Sequence, residues 1–235
     1  MKSVGQEIKA ENAGWNFGGD VAKTFENHIR QSIPLYDEGH SLIAKLSDYF
    51  VKDDSICYEV GSSTGILSHK LAKHNINKKA RFVGIEIEEG MHNQAISTYS
   101  SENLEFLCDD ILQFDYEKAD LIVSYYTIQF IRLNQRQEFI NKIYERLNWG
   151  GAFIMFEKVR ACDARFQDMC TTLYNDFKLE QGFSPEEIVS KTRSLKGVLE
   201  PFSTQGNIDM LSRAGFVDVL SAMKYIPFEG FIAIK

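Results

Sequence analysis

The sequence has few cysteines, few prolines and no long apolar segment. Its four cysteines form no C-x-x-C pair and have no nearby histidine at a metal-ligand spacing, so a zinc site is not expected. Four prolines and no Ser/Gly/Pro-rich stretch leave no linker between independent domains. The first twenty residues lack a signal-like apolar run, and no segment approaches the roughly 18 apolar residues of a membrane span. These absences predict one cytoplasmic domain with free thiols, no metal and no membrane partner.

Positive charge is scarce as well: 26 Lys and Arg residues stand against 33 Asp and Glu residues, for a formal net charge of −7. A protein that binds nucleic acid needs a basic face to neutralise phosphates. The composition therefore argues against a direct nucleic-acid partner and favours a small molecule. With 235 residues, 44% hydrophobic content and 12% aromatic content, the chain is long and apolar enough to fold as one α/β domain.

Short apolar runs alternate with helical patterns along the chain, which is typical of β-α-β units and a parallel sheet. The pattern predicts seven strands, at residues 56–60, 81–86, 104–108, 119–124, 152–157, 216–220 and 230–234. It predicts core helices at residues 65–74, 90–99, 134–147 and 208–214. The expected architecture is a Rossmann-like, mostly parallel seven-stranded sheet with helices on both faces.

Two further helical blocks, at residues 19–50 and 163–199, are expected to cover the carboxyl ends of the strands, where ligands bind in such sheets. One domain thus divides into four consecutive parts. These are an N-terminal helical cover, a central ligand-binding core, a helical insertion and the C-terminal strands, at residues 1–50, 51–160, 161–200 and 201–235.

The most informative stretch is YEVGSSTG, residues 58–65, where a predicted strand turns into a helix. Glycine there lets the backbone approach a nucleotide closely. Ser63 stands at the second glycine position of G-x-G-x-x-G, so the stretch is not the dinucleotide fingerprint. Glu59 instead ends the strand two residues before Gly61 and six before Gly65, as in class I S-adenosylmethionine-dependent methyltransferases, which the chain resembles. The alternative is an ordinary tight turn without a ligand.

Acidic residues follow the next two strands in order. Glu86 ends the second strand, next to Ile87, and a carboxylate there can accept from both ribose hydroxyls of a nucleoside. Asp110 follows the third strand and is placed to accept from an adenine amino group, with Ile111 offering its backbone amide. Asp109 is an alternative to Asp110. Helix capping or a solvated loop would also explain these acidic residues.

Scattered, collinear matches extend beyond this core over nearly the whole chain. They comprise Trp15, Phe17, Gly182, Ser184 and residues 32–36, 127–130, 142–144, 147–148, 150–152, 157–158, 176–178 and 215–216. On these positions the chain resembles the carboxy-S-adenosylmethionine synthase family and its methyltransferase-like relatives. The resemblance implies S-adenosyl-L-methionine as the cofactor and a homodimer as the assembly.

Two positions depart from the pattern of that family. The arginine with which the family holds a carboxylate aligns with Thr192, and this chain has Arg193 one residue later. One residue on a helix rotates a side chain by about 100°, so Arg193 does not automatically point into the same site, and whether it replaces the family's arginine stays open. The family's asparagine after the fourth strand is replaced by Tyr125. Tyr36 and Gly61 match ligand-contacting positions of the family.

These departures favour in-line methyl transfer to a small-molecule acceptor. Synthesis of the carboxylated cofactor from S-adenosylmethionine and prephenate is one alternative, and a non-catalytic, cofactor-binding regulatory protein is another. The candidates for catalysis or acceptor positioning are His28, Tyr36, Tyr125, Tyr126 and Arg193. The candidates for cofactor binding are Tyr36, Glu59, Gly61, Ser62, Ser63, Gly65, Glu86, Ile87, Asp110, Ile111 and Tyr125. His28 as a satisfied interior histidine and Arg193 as part of a solvated cationic face are the structural alternatives.

Overall fold

The computed structural model describes residues 2–4, 9–15 and 21–235, so Phe17 lies outside the described residues. A short antiparallel ribbon precedes the main sheet and pairs β1 (Lys2–Ser3) with β2 (Lys9–Ala10). The main sheet has seven strands: β3 (Ile56–Val60), β4 (Arg81–Glu86), β5 (Leu104–Cys108), β6 (Ala119–Tyr125), β7 (Leu147–Lys158), β8 (Asp218–Tyr225) and β9 (Phe228–Ile234). Their order across the sheet is β5-β4-β3-β6-β7-β9-β8.

The sheet is parallel except at one edge, where β9 runs antiparallel to both β7 and β8. The predicted seven-stranded, mostly parallel sheet is therefore confirmed. The strand order reverses between β3 and β6, since β4 and β5 lie on one side of β3 and the later strands on the other. Ligands of open α/β sheets bind in the crevice at such a reversal, outside the carboxyl ends of the strands.

Eight α-helices surround the sheet in the described part of the chain. They are α1 (Val21–Ser32), α2 (Tyr36–Ser47), α3 (Ile66–His74), α4 (Glu89–Thr98), α5 (Leu133–Arg146), α6 (Ala164–Glu180), α7 (Pro185–Ser194) and α8 (Thr204–Ala214). Both predicted helical blocks are present, since α1 and α2 precede β3 and the pair α6 and α7 follows β7. No described helix is long and apolar enough to cross a bilayer.

Three elements in the C-terminal part of the chain have boundaries that differ from the predicted ones. Strand β7 begins five residues early, because Leu147 already pairs with Ala119 of β6 as α5 ends. Helix α8 begins at Thr204, because the Ser203 side chain accepts from the Gly206 amide at 3.0 Å and caps it. Strand β8 begins at Asp218 and runs on to Tyr225, paired with β9 through a register shift between Ser221 and Met223.

The core lies on both faces of the sheet, and alternate strand residues divide between the two faces. On one face Phe153 of β7 joins Phe139 of α5 in a fully buried cluster. On the other face Ile154 packs in a second cluster with Ile43 of α2 and Leu71 of α3. Helix α2 begins at Tyr36. This cluster holds the helix against the sheet, and Tyr36 lies at the carboxyl end of β6.

Gly61, after β3, has a backbone that no other residue type suits. Its φ is +74°, and a Cβ there would collide with the side chain of Thr127. Gly150 has a similar φ of +77° with nothing within 4 Å of the added carbon. We expect Gly61→Ala to lower the free energy of unfolding by about 2–5 kcal/mol, from backbone strain plus overpacking. Gly150→Ala, the matched control, carries the strain alone, about 1–2 kcal/mol. Urea denaturation checks this, and equal losses in the two variants would contradict it.

Candidate functional site

A cavity of about 260 Å³ lies at the carboxyl ends of β3, β4 and β6 and is covered by α1, α2 and α7. Most predicted cofactor-binding residues line it: Tyr36, Glu59, Gly61, Ser62, Ser63, Glu86, Ile87, Asp110, Ile111 and Tyr125. Three predicted catalytic residues line it too: His28, Tyr125 and Tyr126. The strand-end residues come together because the carboxyl ends of parallel strands share one edge, and helices α1 and α2 add His28 and Tyr36.

Gly65 does not line this cavity, which corrects its expected contact with the cofactor. It caps the N-terminus of α3 with φ +84°, and a Cβ there would come within 2.6 Å of the Phe106 ring. Its role is to let α3 begin tightly against the neighbouring strand.

The Glu86 carboxylate is buried on the cavity wall and held by two backbone amides. Ser63 N donates to Oε2 at 2.8 Å, and Glu88 N donates to Oε1 at 2.9 Å. Burial raises the pKa of Glu86, and the two amide hydrogen bonds oppose that rise. Each carboxylate oxygen has a second lone pair, so both can still accept from a ligand hydroxyl.

Glu59 is buried at the same edge, 5% exposed, and Ser68 Oγ donates to its Oε2. Burial raises the pKa of Glu59 to about 8, and the nearby negative charge of Glu86 adds to the rise. Two carboxyl groups therefore lie on one wall of the cavity. A cationic ligand group beside Glu59 would stabilise its ionised form.

The structure distinguishes the two neighbouring aspartates after β5. Asp110 lines the cavity, and its Oδ1 accepts from Leu112 N at 2.9 Å. Asp109 is exposed, and its carboxylate accepts from Asp110 N at 2.7 Å. The geometry thus favours Asp110 for the contact with an adenine amino group.

Aromatic rings form the wall opposite the carboxylates. The Tyr125 hydroxyl donates to the Tyr36 carbonyl oxygen at 2.7 Å, and the two ring centroids are 5.3 Å apart. This hydrogen bond connects the start of α2 to the end of β6. Because the Tyr125 hydroxyl donates its proton to Tyr36, it does not donate that proton to a ligand. Tyr126 lies next to it with φ +61°, a left-handed conformation that is rare for a bulky residue and is common at functional sites.

His28 and Lys191 form a pair beneath the helical cover. His28 Nε2 lies 3.0 Å from Lys191 Nζ, and that ammonium stands 2.8 Å from the centroid of the Trp15 ring. The pKa of His28 is lowered to about 3, mainly because the imidazole is buried and to a smaller extent because Lys191 is positively charged. The imidazole is therefore neutral near pH 7 and accepts a hydrogen bond at Nε2. Burial also lowers the pKa of Lys191 well below its usual range.

Arg193 does not reach the site expected for it. Its side chain is exposed and does not line this cavity, while its carbonyl oxygen accepts from Ala13 N at 2.9 Å. Thr192 lines the neighbouring cavity rather than this one, and its hydroxyl donates to the Ile188 carbonyl at 2.9 Å. Lys191 is the cationic residue that α7 directs into the cavity with Glu59 and Glu86.

Sequence reasoning also missed Lys158, His40 and Tyr174 in the lining of this cavity. A signal for Lys191 was present, because Ile188, Lys191 and Leu195 share one helical face at i, i+3 and i+7. His40 is likewise one turn from Tyr36 on the same face of α2.

Comparison with known proteins gives close relatives over nearly the whole chain. A methyltransferase domain model matches residues 58–151. The carboxy-S-adenosyl-L-methionine synthase of Staphylococcus epidermidis is 34% identical over 222 residues, covering 94% of this chain and 97% of the relative. The enzyme of that name from Sulfurimonas denitrificans is 33% identical and covers 97% of both chains. This chain belongs to the carboxy-S-adenosyl-L-methionine synthase family. It is thus an enzyme of the S-adenosylmethionine-dependent methyltransferase class.

Solved structures show the same fold at low sequence identity. Human N-acetylserotonin methyltransferase, solved with its cofactor, superposes with a TM-score of 0.63 at 16% identity. The match covers 91% of this chain but 55% of the longer human chain. Phosphoethanolamine N-methyltransferase 2 of Haemonchus contortus gives a TM-score of 0.57 at 12% identity, covering 83% of this chain and 52% of the other.

The cofactor of the family, S-adenosylmethionine, fits the residues of this cavity. In the described part of the chain, Ser62 Oγ, His28 Nδ1 and His40 Nε2 are buried without a hydrogen-bond partner, and all three residues line the cavity. Glu86 and Asp110 suit the ribose and adenine, and Glu59 suits a cationic group. When bound, the cofactor supplies a one-carbon group activated by its sulfonium.

We expect Glu86→Ala to weaken S-adenosylmethionine binding by about 1–3 kcal/mol, or roughly 5- to 150-fold. The variant loses the ribose acceptor and frees the two amides that Glu86 holds. Glu89→Ala is the matched control, because Glu89 is an exposed carboxylate three residues later that does not line the cavity. Titration calorimetry checks both variants, with circular dichroism to confirm folding. Unchanged cofactor affinity in a folded Glu86→Ala protein would refute the assignment.

Proposed function

We propose that this enzyme makes carboxy-S-adenosyl-L-methionine from S-adenosylmethionine and prephenate. The observation that carries the proposal is the position of Lys191, whose ammonium faces the cofactor cavity from α7. In the described part of the chain this ammonium has no carboxylate partner, and the other charge acting on it is that of Lys178. A carboxylate carried on the cofactor would complete an ion pair there. The names of the relatives support the same reaction.

The proposed reaction balances without a further reactant. The methyl carbon of S-adenosylmethionine loses a proton and gains a carboxyl group. Prephenate gives up that carboxyl group and its hydroxyl group and becomes phenylpyruvate. The released proton and hydroxide form water.

Lys191 takes over, in this proposal, the carboxylate-binding role of the arginine that the family has at position 192. Lysine is a point charge rather than a planar fork, so it would bind the carboxylate by one ammonium and not by a bidentate pair. His28 accepts from the ammonium at 3.0 Å and thereby fixes its position. A bound carboxylate would raise the pKa of Lys191 back toward its usual range. The site would therefore hold the carboxylated cofactor more tightly than S-adenosylmethionine.

Plain methyl transfer to a small acceptor is the second candidate, and it has less support than the synthase reaction. The observation in its favour is Tyr125, which replaces an asparagine of the family and gives its hydroxyl proton to Tyr36 rather than to the cavity. Methyl transfer needs chiefly in-line orientation and removal of water, and the aromatic wall supplies an apolar surface for an acceptor.

Incubation with both substrates, followed by liquid chromatography and mass spectrometry, tests the proposal. We expect a carboxylated nucleoside and phenylpyruvate in equal amounts, both absent when prephenate is omitted. Prephenate consumption no faster than in a mixture without enzyme would refute the proposal. Release of S-adenosylhomocysteine together with a methylated acceptor would establish the second candidate instead.

A further inference from the structure

A second cavity of about 400 Å³ adjoins the cofactor cavity. The two share Lys158, Tyr174 and Lys191 in their walls, so a ligand can extend from one into the other. Five cationic residues line the second cavity: Lys158, Arg160, Lys178, Lys191 and Lys196. Among the residues that the structure describes, two carboxylates line it, Glu187 and Glu200. The protein as a whole has a net charge of −7, so the excess of positive charge in this cavity is a local feature.

One of the two carboxylates in this cavity is already engaged. Glu187 accepts from Ser184 N at 3.0 Å in the capping box of α7, and from Ser3 Oγ at 2.9 Å. It therefore has a structural role at the start of α7 and is not a counter-ion for the lysines.

Two of the lysines are arranged around a single aromatic ring. The Nζ atoms of Lys158 and Lys178 each lie 4.4 Å from the centroid of Tyr174. The Tyr174 hydroxyl donates to the Ser32 carbonyl at 2.9 Å, which fixes the ring between α6 and α1. The side chains are thus positioned by β7, α6 and α1 together, rather than extended into solvent.

Neither ammonium has an anionic partner in the part of the chain that the structure describes. No ion pair joins Lys158 or Lys178 to a carboxylate, and Lys178 is only 6% exposed. The charges acting on them are cationic, Arg160 on Lys158 and Lys158 on Lys178. Burial lowers the pKa of each lysine to about 8. A buried cation without a counter-ion is costly, and the face of one tyrosine compensates only part of that cost.

We infer that Lys158 and Lys178, on either side of Tyr174, bind the carboxylate of the donor that is not transferred to the cofactor. The inference rests on the proposed function, in which the donor has two carboxylates. Lys191 then faces the carboxylate being transferred, and the lysines around Tyr174 hold the other end of the same molecule. The substrate class follows: the enzyme selects small dicarboxylates over monocarboxylates.

Lys178→Met tests the inference, because Lys178 lines the second cavity but not the cofactor cavity. We expect the KM for prephenate to rise about 10- to 100-fold, because the variant loses one charged hydrogen bond. The affinity for S-adenosylmethionine should be unchanged. Lys45→Met is the matched control, since Lys45 is an exposed helical lysine outside both cavities. Lys178→Gln serves if the methionine variant does not fold. An unchanged KM in the folded variant would overturn the inference.

Direct calorimetry with prephenate separates this inference from the proposed function. If no carboxylated product forms but prephenate binds the wild type and not Lys178→Met, the proposed reaction fails and the anion subsite stands. If product forms and Lys178→Met has the wild-type KM and prephenate affinity, the proposed reaction is supported and the proposed anion subsite is refuted. Phenylacetate, a monocarboxylate, should bind at least 10-fold more weakly than prephenate, and equal affinity would contradict the selection for dicarboxylates.

Discussion

Replacing Lys191 with methionine should lower kcat/KM for the carboxylated product by about 30-fold or more, while S-adenosylmethionine still binds. The variant keeps an unbranched apolar side chain and removes the ammonium, together with its contact with the Trp15 ring. Loss of a charge partner from a buried carboxylate costs about 2–5 kcal/mol. Because S-adenosylmethionine lacks that carboxylate, its own affinity should change little. Kinetic assays with prephenate and calorimetry with S-adenosylmethionine measure the two effects separately.

Arg193→Met is the control for this experiment, because Arg193 is on the same helix and exposed outside both cavities. It should retain wild-type kcat/KM. A loss of activity in Arg193→Met together with normal activity in Lys191→Met would show that Arg193, and not Lys191, holds the carboxylate.

Glu59→Gln should reduce cofactor affinity and stabilise the fold at the same time. The variant removes the negative charge that suits a cationic cofactor group, so S-adenosylmethionine should bind about 10- to 100-fold more weakly. The pKa of Glu59 is about 8 in the folded protein, above its usual value, so its favourable effect on folding is present below that usual value and is lost as pH rises through 8. Above pH 8 the folded wild-type protein carries a buried, ionised Glu59, which is unfavourable. Glutamine is neutral at every pH and does not introduce this cost. The gain in the free energy of unfolding should be on the order of a few kcal/mol near pH 9 and should shrink toward pH 5.

Glu157→Gln separates the two effects. Burial also raises the pKa of Glu157 to about 8, and the residue is 3% exposed, but it lines neither cavity. We expect the same direction of pH-dependent stabilisation with unchanged cofactor affinity. Urea denaturation at pH 5, 7 and 9 and calorimetry at pH 7 measure both quantities. If Glu59→Gln binds the cofactor as the wild type does, Glu59 has no part in the site.

The strands and strand-end residues could be predicted because they depend on local pattern. The first three core strands, β3, β4 and β5, begin and end at the predicted residues. Parallel strands of a covered sheet are continuous apolar runs with clear ends, and Glu59, Glu86 and Asp110 lie at or just beyond those ends. The boundary between α5 and β7 was harder to predict, since the helix ends at Arg146 and the strand begins at Leu147 without an intervening turn residue.

The presence of the helical cover could be predicted from the sequence, but the side chains that it directs inward could not. Lys178 of α6 and Lys191 of α7 line the cavities together with Lys158 of β7. A lysine is normally exposed, so its residue type does not mark it as buried, and for Lys191 the helical spacing with Ile188 and Leu195 was the one local signal. Which face of α7 meets the sheet depends on how α6, α7 and the N-terminal segment pack. Arg193 is two residues from Lys191, a rotation of about 200°, and therefore faces solvent.

Mass spectrometry of the nucleoside released when freshly purified wild-type protein is denatured tests the proposed activity most directly. A site with an ammonium directed at a carboxylate should retain its product through purification, so we expect carboxy-S-adenosyl-L-methionine in the released fraction. Release of S-adenosylmethionine or S-adenosylhomocysteine alone, with no carboxylated form even after prephenate is supplied, would contradict it.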